Sequence, residues 1–474
     1  MAYRILAWFL RVVVRVFFRQ IEVVGLENVP REGPVIFAGN HPNSLIDPIL
    51  IITTCGRKVH FAAKDTLFKG RLLRAVLRGL GAVPLARKMD KGGGDLGAAN
   101  DAAFEHMFGV LELGGTIGIF PEGISHDESQ LAKLKTGAAR LALGGSQRAG
   151  RPITVVPCGL VFIHPKRFRS RVLVQYGPPL AITGDSTPDS VRTVTAELGT
   201  ALRRLTINAP DWDTVRALDT VRRLYQPQEI SIEERVELAR RFNTHYAAVA
   251  ADPRVIDLMT RVRAYQHKLD ELGLSDRELA RDLSKLEVSA RLVRHVVLVA
   301  WWLPLSVPGA PWHLPPLVFA RLAGPALTPR KDVIATTKML IGMLIVLLAY
   351  AATITYVWWT VGFVWAAWLA VLLPLSGIAT LQVLDRLRLV RRAGGVLLRR
   401  MRFRREVAAL RMERAELARD VIRVVNAVKP ADLALMFPRE SSEARGDRSG
   451  PRPSGRGPEN PDDEADLDAE LDKR

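Results

Sequence analysis

With 474 residues, 48% of them hydrophobic, and a net charge of +18, the chain is too long for one ordinary domain, and two or three parts are expected. The acidic stretch 459–474 carries −6 and leaves +24 on the remainder, a balance that points to anionic partners: lipid headgroups, nucleic acid or phosphorylated substrates. Two cysteines, Cys55 and Cys158, exclude a disulfide framework and lack metal-ligand spacing, so a reducing compartment is the default; the nine histidines are scattered, without an H-E-x-x-H pattern.

The apolar stretch 5–18 is interrupted by Arg11 and Arg15 and is followed by no small-residue cleavage site, so a cleavable signal is not expected. On a helix, Arg4, Arg11, Arg15 and Arg19 fall within an arc of roughly 80°, with Leu6, Trp8, Phe9, Val13 and Phe17 opposite. Residues 1–20 therefore read as an amphipathic helix in a membrane interface, or as a helix packed on its own domain.

From about 21 to 205, apolar β-branched runs (35–38, 59–62, 116–120, 154–162, 172–176) alternate with helical patterns (49–53, 71–80, 97–113, 129–143). That order predicts a layered α/β domain. Just after the first run stand His41 and Asp47, an imidazole and a carboxylate in one short window. A neutral imidazole oriented by a carboxylate is the minimal apparatus for removing a proton from an alcohol, and no Ser or Cys nucleophile motif accompanies it. Asp47-Pro48 is equally a helix start, with Asp as N-cap and Pro at the first helical position. Residues six apart are separated by about 240° on a helix, so His41 belongs on the loop after the strand and Asp47 near the next helix start.

Three further clusters follow. Gly81 to Arg87 places an arginine after an apolar segment, and the glycines at 92–94 read as a surface loop. Phe120-Pro121-Glu122-Gly123-Ile124-Ser125-His126-Asp127 follows a strand and opens a helix. Residues 155–160 form an apolar strand broken by Pro157. In α/β sheets ligands bind at the carboxyl ends of strands, so all four clusters are candidates for one crevice.

Their order and spacing resemble the four motifs of the glycerolipid acyltransferase superfamily, the glycerol-3-phosphate and 1-acylglycerol-3-phosphate acyltransferases. That superfamily usually separates the motif's His and Asp by four residues. Here five intervene, Pro42 to Ile46. The longer gap and the Pro-Glu-Gly-x-Ser-His-Asp form at Pro121 to Asp127 resemble the fungal glycerol-3-phosphate/dihydroxyacetone-phosphate acyltransferases and their bacterial relatives. The resemblance covers roughly residues 20–205.

It implies His41 as general base on the acceptor hydroxyl and Asp47 as its orienting partner. Arg87 would bind the acceptor phosphate, a guanidinium fork matching phosphate oxygens. Glu122 and Gly123 would line the acceptor site, the glutamate bonding a glycerol hydroxyl or positioning Arg87. Ser125 would donate to the phosphate, with Lys135, eight residues into the following helix, as an additional candidate. Pro121 and Pro157 would be structural, Pro157 shaping the acyl-binding wall, and His126 would serve hydrogen bonding within the turn. No metal or cofactor is implied.

Residues 206–294 are helical in pattern and charged, with a capping box at Ser231. Residues 295–385 read as a membrane region. Stretches 339–358 and 361–384 are charge-free and each about long enough to cross a ~30 Å hydrocarbon core, joined as a tight hairpin. Arg330, Lys331 and Lys338 precede it and Arg386, Arg388, Arg391 and Arg392 follow, so both flanks read as cytoplasmic. Five prolines (304, 308, 311, 315, 316) make 296–320 a re-entrant or interfacial hairpin, with a buried core hairpin as the alternative. Residues 386–437 read as a strongly basic helix facing anionic lipid. No recognition fold supports nucleic acid as its partner. Residues 438–474 read as a disordered tail.

The expected architecture is thus an α/β layered acyltransferase domain with a mixed sheet, then a helical region and a C-terminal membrane hairpin. The expected function is a multi-pass membrane acyltransferase with its catalytic domain on the cytoplasmic face. It would move a fatty acyl group from acyl-CoA or acyl carrier protein to glycerol 3-phosphate or dihydroxyacetone phosphate. A 1-acylglycerol-3-phosphate acyltransferase is the runner-up, and a non-catalytic membrane lipid-binding or scaffold protein is the reading from another class.

Overall fold

The computed structural model describes residues 2–85, 96–225, 241–242, 245–246, 248–280 and 285–428. Arg87, the glycines at 92–94, the capping box at Ser231 and the tail 438–474 lie outside the described residues. The chain divides into two compact units, Met1–Asn208 with Gly309–Pro374, and Ala209–Pro308 with Leu375–Arg474.

The first unit is built on eight strands: β1 (Phe18–Val24), β2 (Val35–Gly39), β3 (Val59–Lys64), β4 (Val83–Leu85), β5 (Thr116–Ile119), β6 (Ile153–Phe162), β7 (Ser170–Tyr176) and β8 (Leu180–Ile182). Their order is β1-β7-β6-β2-β5-β3-β4, with β8 also on β6. The run from β6 through β2, β5 and β3 to β4 is parallel, while β7 and β8 lie antiparallel to β6. Every residue of β2 and β5 is buried, which is why these strands are continuously apolar: a parallel strand covered on both faces has no polar side.

Alternation still sorts the side chains. Val35 and Phe37 enter one core with Phe61, Val156 and Leu160. Ile36 and Ala38 enter the other with Ile117, Ile153 and Val155. The first core is closed by α1 (Ala2–Phe17) and α2 (Ile46–Thr54), and it takes in Ala335 and Met339. After α3 (Arg71–Gly79), three helices close the second core: α4 (Leu96–Glu112), α5 (Gly137–Ala149) and α6 (Pro188–Arg203).

Of the two expectations for the N-terminal helix, packing on its own domain is the one the structure shows. Ala7, Val14 and Phe17 are buried and the Arg11 Nε donates to the Thr53 carbonyl at 3.2 Å, so α1 packs on its own domain. Its open face carries Arg4, Arg11 and Arg15 beside exposed Ile5, Trp8, Val12 and Val16, of which only Trp8 belongs to the apolar set expected.

Pro157 does not break its strand. The β8 ladder occupies Ile153 to Val155 and the β7 ladder begins at Cys158, so the proline sits at the hand-over between partners. Its carbonyl accepts from the Gly177 N–H at 2.8 Å on that edge, and its missing N–H removes no ladder bond there.

In the second unit α7 (Trp212–Tyr225), α8 (Pro253–Leu272) and the short α9 (Asp276–Ala280) pack with a C-terminal helix described below. Three long apolar helices carry the rest: α10 (Lys285–Leu327), α11 (Ile334–Thr360) and α12 (Phe363–Arg402). Segments Leu292–Leu327, Lys331–Thr360 and Phe363–Arg391 are each long and apolar enough to cross a membrane, with mean hydropathy of 1.3, 2.2 and 1.9. The expected re-entrant hairpin at 296–320 instead lies within the single helix α10. Pro304, Pro308, Pro311 and Pro315 recur at i, i+4, i+7 and i+11, all exposed on one face, so the lost hydrogen bonds fall along one side and the helical ladder persists elsewhere.

The expected basic helix from Arg386 is also two elements. α12 ends at Arg402, and after Phe403 comes α13 (Arg404–Val428). Val407, Leu410, Leu417, Val421 and Val425 bury a stripe of α13 in the core of the second unit. Arg414 of α13 pairs with Asp276 at 2.8 Å, and Asp276 also accepts from the buried Tyr265 hydroxyl at 2.8 Å. One face of this basic segment is therefore a packing face, with protein rather than lipid as its partner.

Candidate active site

β2 and β5 are neighbours and parallel, with Ala38 opposite Ile119, so the loops that follow them leave on the same edge of the sheet. His41 comes two residues after β2. Asn40 fixes the exit: its Nδ2 donates to the Leu160 carbonyl at 3.0 Å, and its Oδ1 accepts from the Leu160 N–H at 2.7 Å. The Phe120 ring, first residue past β5, stacks on the His41 ring with centroids 4.1 Å apart and planes at 8°.

His41 Nδ1 lies 2.8 Å from Asp47 Oδ2, and the same oxygen accepts from the Asn43 N–H at 2.7 Å. The helix cap reading of Asp47 is corrected by the geometry. α2 starts at Ile46 with Leu45 in the cap position, so Asp47 sits inside the first turn and aims back at the loop. Ser44, at φ 48°, folds that loop tightly enough to close a five-residue gap on one carboxylate.

Asp47 is fully buried. Burial pushes its carboxyl up to about 6 against the opposing pull of the His41 and Asn43 hydrogen bonds, and Oδ1 has no hydrogen-bond partner among the described residues. With the carboxylate on Nδ1, the network assigns the proton to Nδ1 and leaves Nε2 as the basic atom. The His41 side chain is 11% exposed, and among the described residues Nε2 makes no hydrogen bond.

Glu122 is almost wholly buried, and both of its oxygens are used by the protein. Oε1 accepts from the His41 N–H at 2.8 Å; Oε2 accepts from the Ala132 N–H at 2.8 Å and from His126 Nε2 at 2.5 Å. The His126 N–H in turn donates to the His41 carbonyl at 3.1 Å. Glu122 is thus a clasp between the first and third motifs, and His126 closes it. The glutamate holds the His126 imidazole above its ordinary pKa.

The third motif opens a long turn rather than a helix: α5 starts only at Gly137. Lys135 therefore lies before the helix, not eight residues into it. Its N–H donates to the Pro121 carbonyl at 2.7 Å, and its side chain lies over Gly123. Gly123 has φ +71°, and a Cβ there would fall 2.6 Å from the Lys135 Nζ. The left-handed φ is what favours glycine, since the Lys135 side-chain end could move aside. Ser125 donates its hydroxyl proton to Asp332 Oδ2 at 2.5 Å, so that proton is not free for a phosphate as expected. The strand before Arg87, β4, runs parallel to β3; Arg87 itself lies outside the described residues.

Several residues of the site escaped the sequence reading: Asn40, Asn43, Phe120, Arg330 and Asp332. Asn40 and Asn43 flank the His-Pro pair inside the motif, and that adjacency was their only signal. Arg330 and Asp332 lie more than two hundred residues from Ser125 and carried none. No group of three or more His, Cys, Asp or Glu side chains suited to a metal ion occurs among the described residues.

Two family models match this chain. One described as Acyltransferase covers residues 20–161, and one described as Glycerol-3-phosphate acyltransferase 2 C-terminal domain covers residues 217–433. Both matched segments thus resemble the glycerolipid acyltransferase superfamily. Among relatives, glycerol-3-phosphate O-acyltransferase 2 of Saccharomyces cerevisiae is 34% identical over 237 residues, covering 47% of this chain and 32% of that one. Glycerol-3-phosphate O-acyltransferase 1 of the same yeast is 25% identical over 467 residues, covering 76% and 61%. A 1-acyl-sn-glycerol-3-phosphate acyltransferase of Borreliella burgdorferi is 31% identical over 124 residues, covering 26% and 46%. The chain thus spans less than two thirds of the length of each of these relatives.

Proposed function

We propose that the protein transfers a fatty acyl group from an acyl thioester, acyl-CoA or acyl carrier protein, to the sn-1 hydroxyl of glycerol 3-phosphate or dihydroxyacetone phosphate. The observation that carries this reading is the bare His41 Nε2, whose imidazole is fixed by Asp47 on Nδ1, stacked on Phe120 and clasped through its backbone by Glu122 and His126. Nε2 takes the proton of the acceptor hydroxyl as its oxygen attacks the thioester carbonyl. Asp47 stabilises the imidazolium that forms. Collapse of the tetrahedral intermediate breaks the carbon–sulfur bond, and the departing thiolate takes the proton back from His41, leaving ester and free thiol. The chain supplies every proton transfer this requires.

The membrane placement belongs to the same proposal. The residues at the α11–α12 turn, Trp358, Trp359, Phe363 and Trp365, are exposed, as an aromatic belt at a membrane–water interface would be, while the other ends of both helices are basic. The catalytic domain is accordingly assigned to the cytoplasmic face, with its acyl product released along the apolar helices.

The test is turnover by the full chain in lipid nanodiscs with labelled acyl-CoA and acyl carrier protein. Glycerol 3-phosphate, dihydroxyacetone phosphate and 1-acylglycerol 3-phosphate are offered in parallel. Preferential acylation of the first two supports the reading. Preference for 1-acylglycerol 3-phosphate selects the second acylation, and a folded protein inert toward all three supports a lipid-binding or scaffold role.

A further inference from the structure

Between α10 and α11 the chain makes a short link, and two of its residues bind the third motif. The carboxylate of Asp332, 7% exposed, takes Arg330 side-on: Nε donates to Oδ1 at 3.2 Å and Nη2 to Oδ2 at 2.6 Å. The same Nη2 reaches the Ser125 carbonyl at 3.1 Å and Oγ at 3.0 Å, while the Ser125 hydroxyl donates to Asp332 Oδ2. One turn on, the Thr336 hydroxyl donates to the carbonyl of Asn43 at 3.4 Å, and the Asn43 N–H holds Asp47. The foot of α11 thus touches both the His41–Asp47 loop and the Glu122–His126 loop.

These contacts leave a guanidinium of defined orientation and unfinished valence. A guanidinium has five N–H donors in a rigid plane. Asp332 and Ser125 engage Nε and Nη2, whereas Nη1 makes no hydrogen bond among the described residues, and the side chain is 56% exposed. Ser125 immediately precedes His126, whose N–H is bonded to the His41 carbonyl, so Arg330 is anchored to the loop tied to His41. The guanidinium is braced by a buried carboxylate on one edge and open on the other.

We propose that Arg330, braced by Asp332 and Ser125, is a phosphate-binding residue of the acceptor site, contributed from between two apolar helices rather than from the α/β domain. The inference rests on the acyl-transfer reading for its substrate, and the ligand chemistry it names is a phosphate monoester. Nη1 donates its N–H groups to the dianion. Asp332 fixes the plane of the fork and limits what Arg330 attracts to ligands carrying more negative charge than one carboxylate already neutralises.

The test separates binding from chemistry. Full-length His41→Ala protein in nanodiscs is titrated with glycerol 3-phosphate, inorganic phosphate and glycerol. Adding Arg330→Gln is expected to weaken the two phosphates by roughly tenfold or more, the loss of a charge-assisted contact. Arg330→Lys should recover part of that affinity, and acyl-CoA binding should be unchanged. In the otherwise native enzyme, the KM for glycerol 3-phosphate rises while the KM for acyl-CoA holds. Should Arg330→Gln fail to fold, Arg330→Lys alone decides, since a point charge without the fork should bind phosphate measurably less tightly than arginine. Unchanged phosphate affinity in the folded variants overturns the proposal, as does the absence of phosphate binding by the Arg330 parent. If Arg330-dependent phosphate binding is found in an enzyme that acylates none of the acceptors, the acyl-transfer reading fails and the phosphate site stands.

Discussion

On the proposed reaction, the one contact between His41 and Asp47 sets a pH profile and a stability cost together. The Asp47 carboxyl is raised to about 6 by burial, so it is ionised above that pH and protonated below it. Only the ionised form accepts from His41 Nδ1–H and stabilises the imidazolium. Activity is therefore expected to fall on the acid side of about 6, read as the acid limb of log kcat/KM against pH. His41→Ala should lower kcat by roughly 10²–10⁴-fold with the fold intact. The sign for stability is opposite to that for activity. A carboxyl whose pKa is raised in the fold contributes stability below its ordinary value and loses it as pH rises through about 6. Asp47→Asn should thus melt higher than the native protein at pH 8, with the gain shrinking as pH falls below 6, while activity is lost throughout. A lower melting temperature at pH 8 would show that the ionised carboxylate is stabilising. The identities of this pair were legible in the sequence because base and partner share seven residues. Their geometry was not, because it depends on the positive φ of Ser44 and on the stacked Phe120 from another strand.

At the scale of elements, legibility followed burial on both faces. β2, β5 and β6 announce themselves as continuous apolar runs because parallel-paired strands covered on both faces have no polar side. The three-residue β4 and β8 and the edge strand β1 carry no such run: β1 reads Phe-Arg-Gln-Ile-Glu-Val-Val and is mostly half-buried. The turn after β5 was misread as helix because Ser129 to Thr136 lacks a breaker. What prevents a helix there is Glu122, whose carboxylate takes the Ala132 N–H, and the Pro121 carbonyl, which takes the Lys135 N–H. That turn should be the most sensitive loop in the chain. Glu122→Gln replaces one acceptor oxygen by a donor in a buried site where three donors converge, so a destabilisation of about 1–3 kcal/mol is expected by denaturant titration. On the proposed reaction its kcat should fall while KM for either substrate changes less, because the clasp positions the base. Gly123→Ala should act similarly through its backbone, with about 1–2 kcal/mol of left-handed strain and a displaced Lys135.

Across the whole molecule, the link between two long apolar helices is tied to the site by short contacts that no local pattern encodes. The hydropathy of α11 and α12 was plain, and so were their basic flanks, but nothing in the sequence indicated that the flank residues Arg330 and Asp332 reach Ser125. That contact turns an orientation rule into a testable geometry. The foot of α11 lies against the catalytic loops, α11 is 27 residues long, and the chain reverses at Val361 and Gly362. At about 1.5 Å per residue such a helix is ~40 Å long, enough to cross the hydrocarbon core and put the turn on the far side. Both cysteines are buried, so single reporters are readable in the native background. Trp359→Cys, exposed at the turn, should react with an impermeant maleimide only from the face opposite the catalytic domain. Lys331→Cys, exposed at the foot of α11, should react only from the catalytic side. In sealed vesicles of known orientation the two should label reciprocally, and permeabilisation should abolish the difference. Labelling of both from one face would mean that the hairpin lies along the membrane instead of crossing it. Arg330 would then be carried to the third motif by an interfacial helix pair, and the phosphate site would stand without a transmembrane anchor.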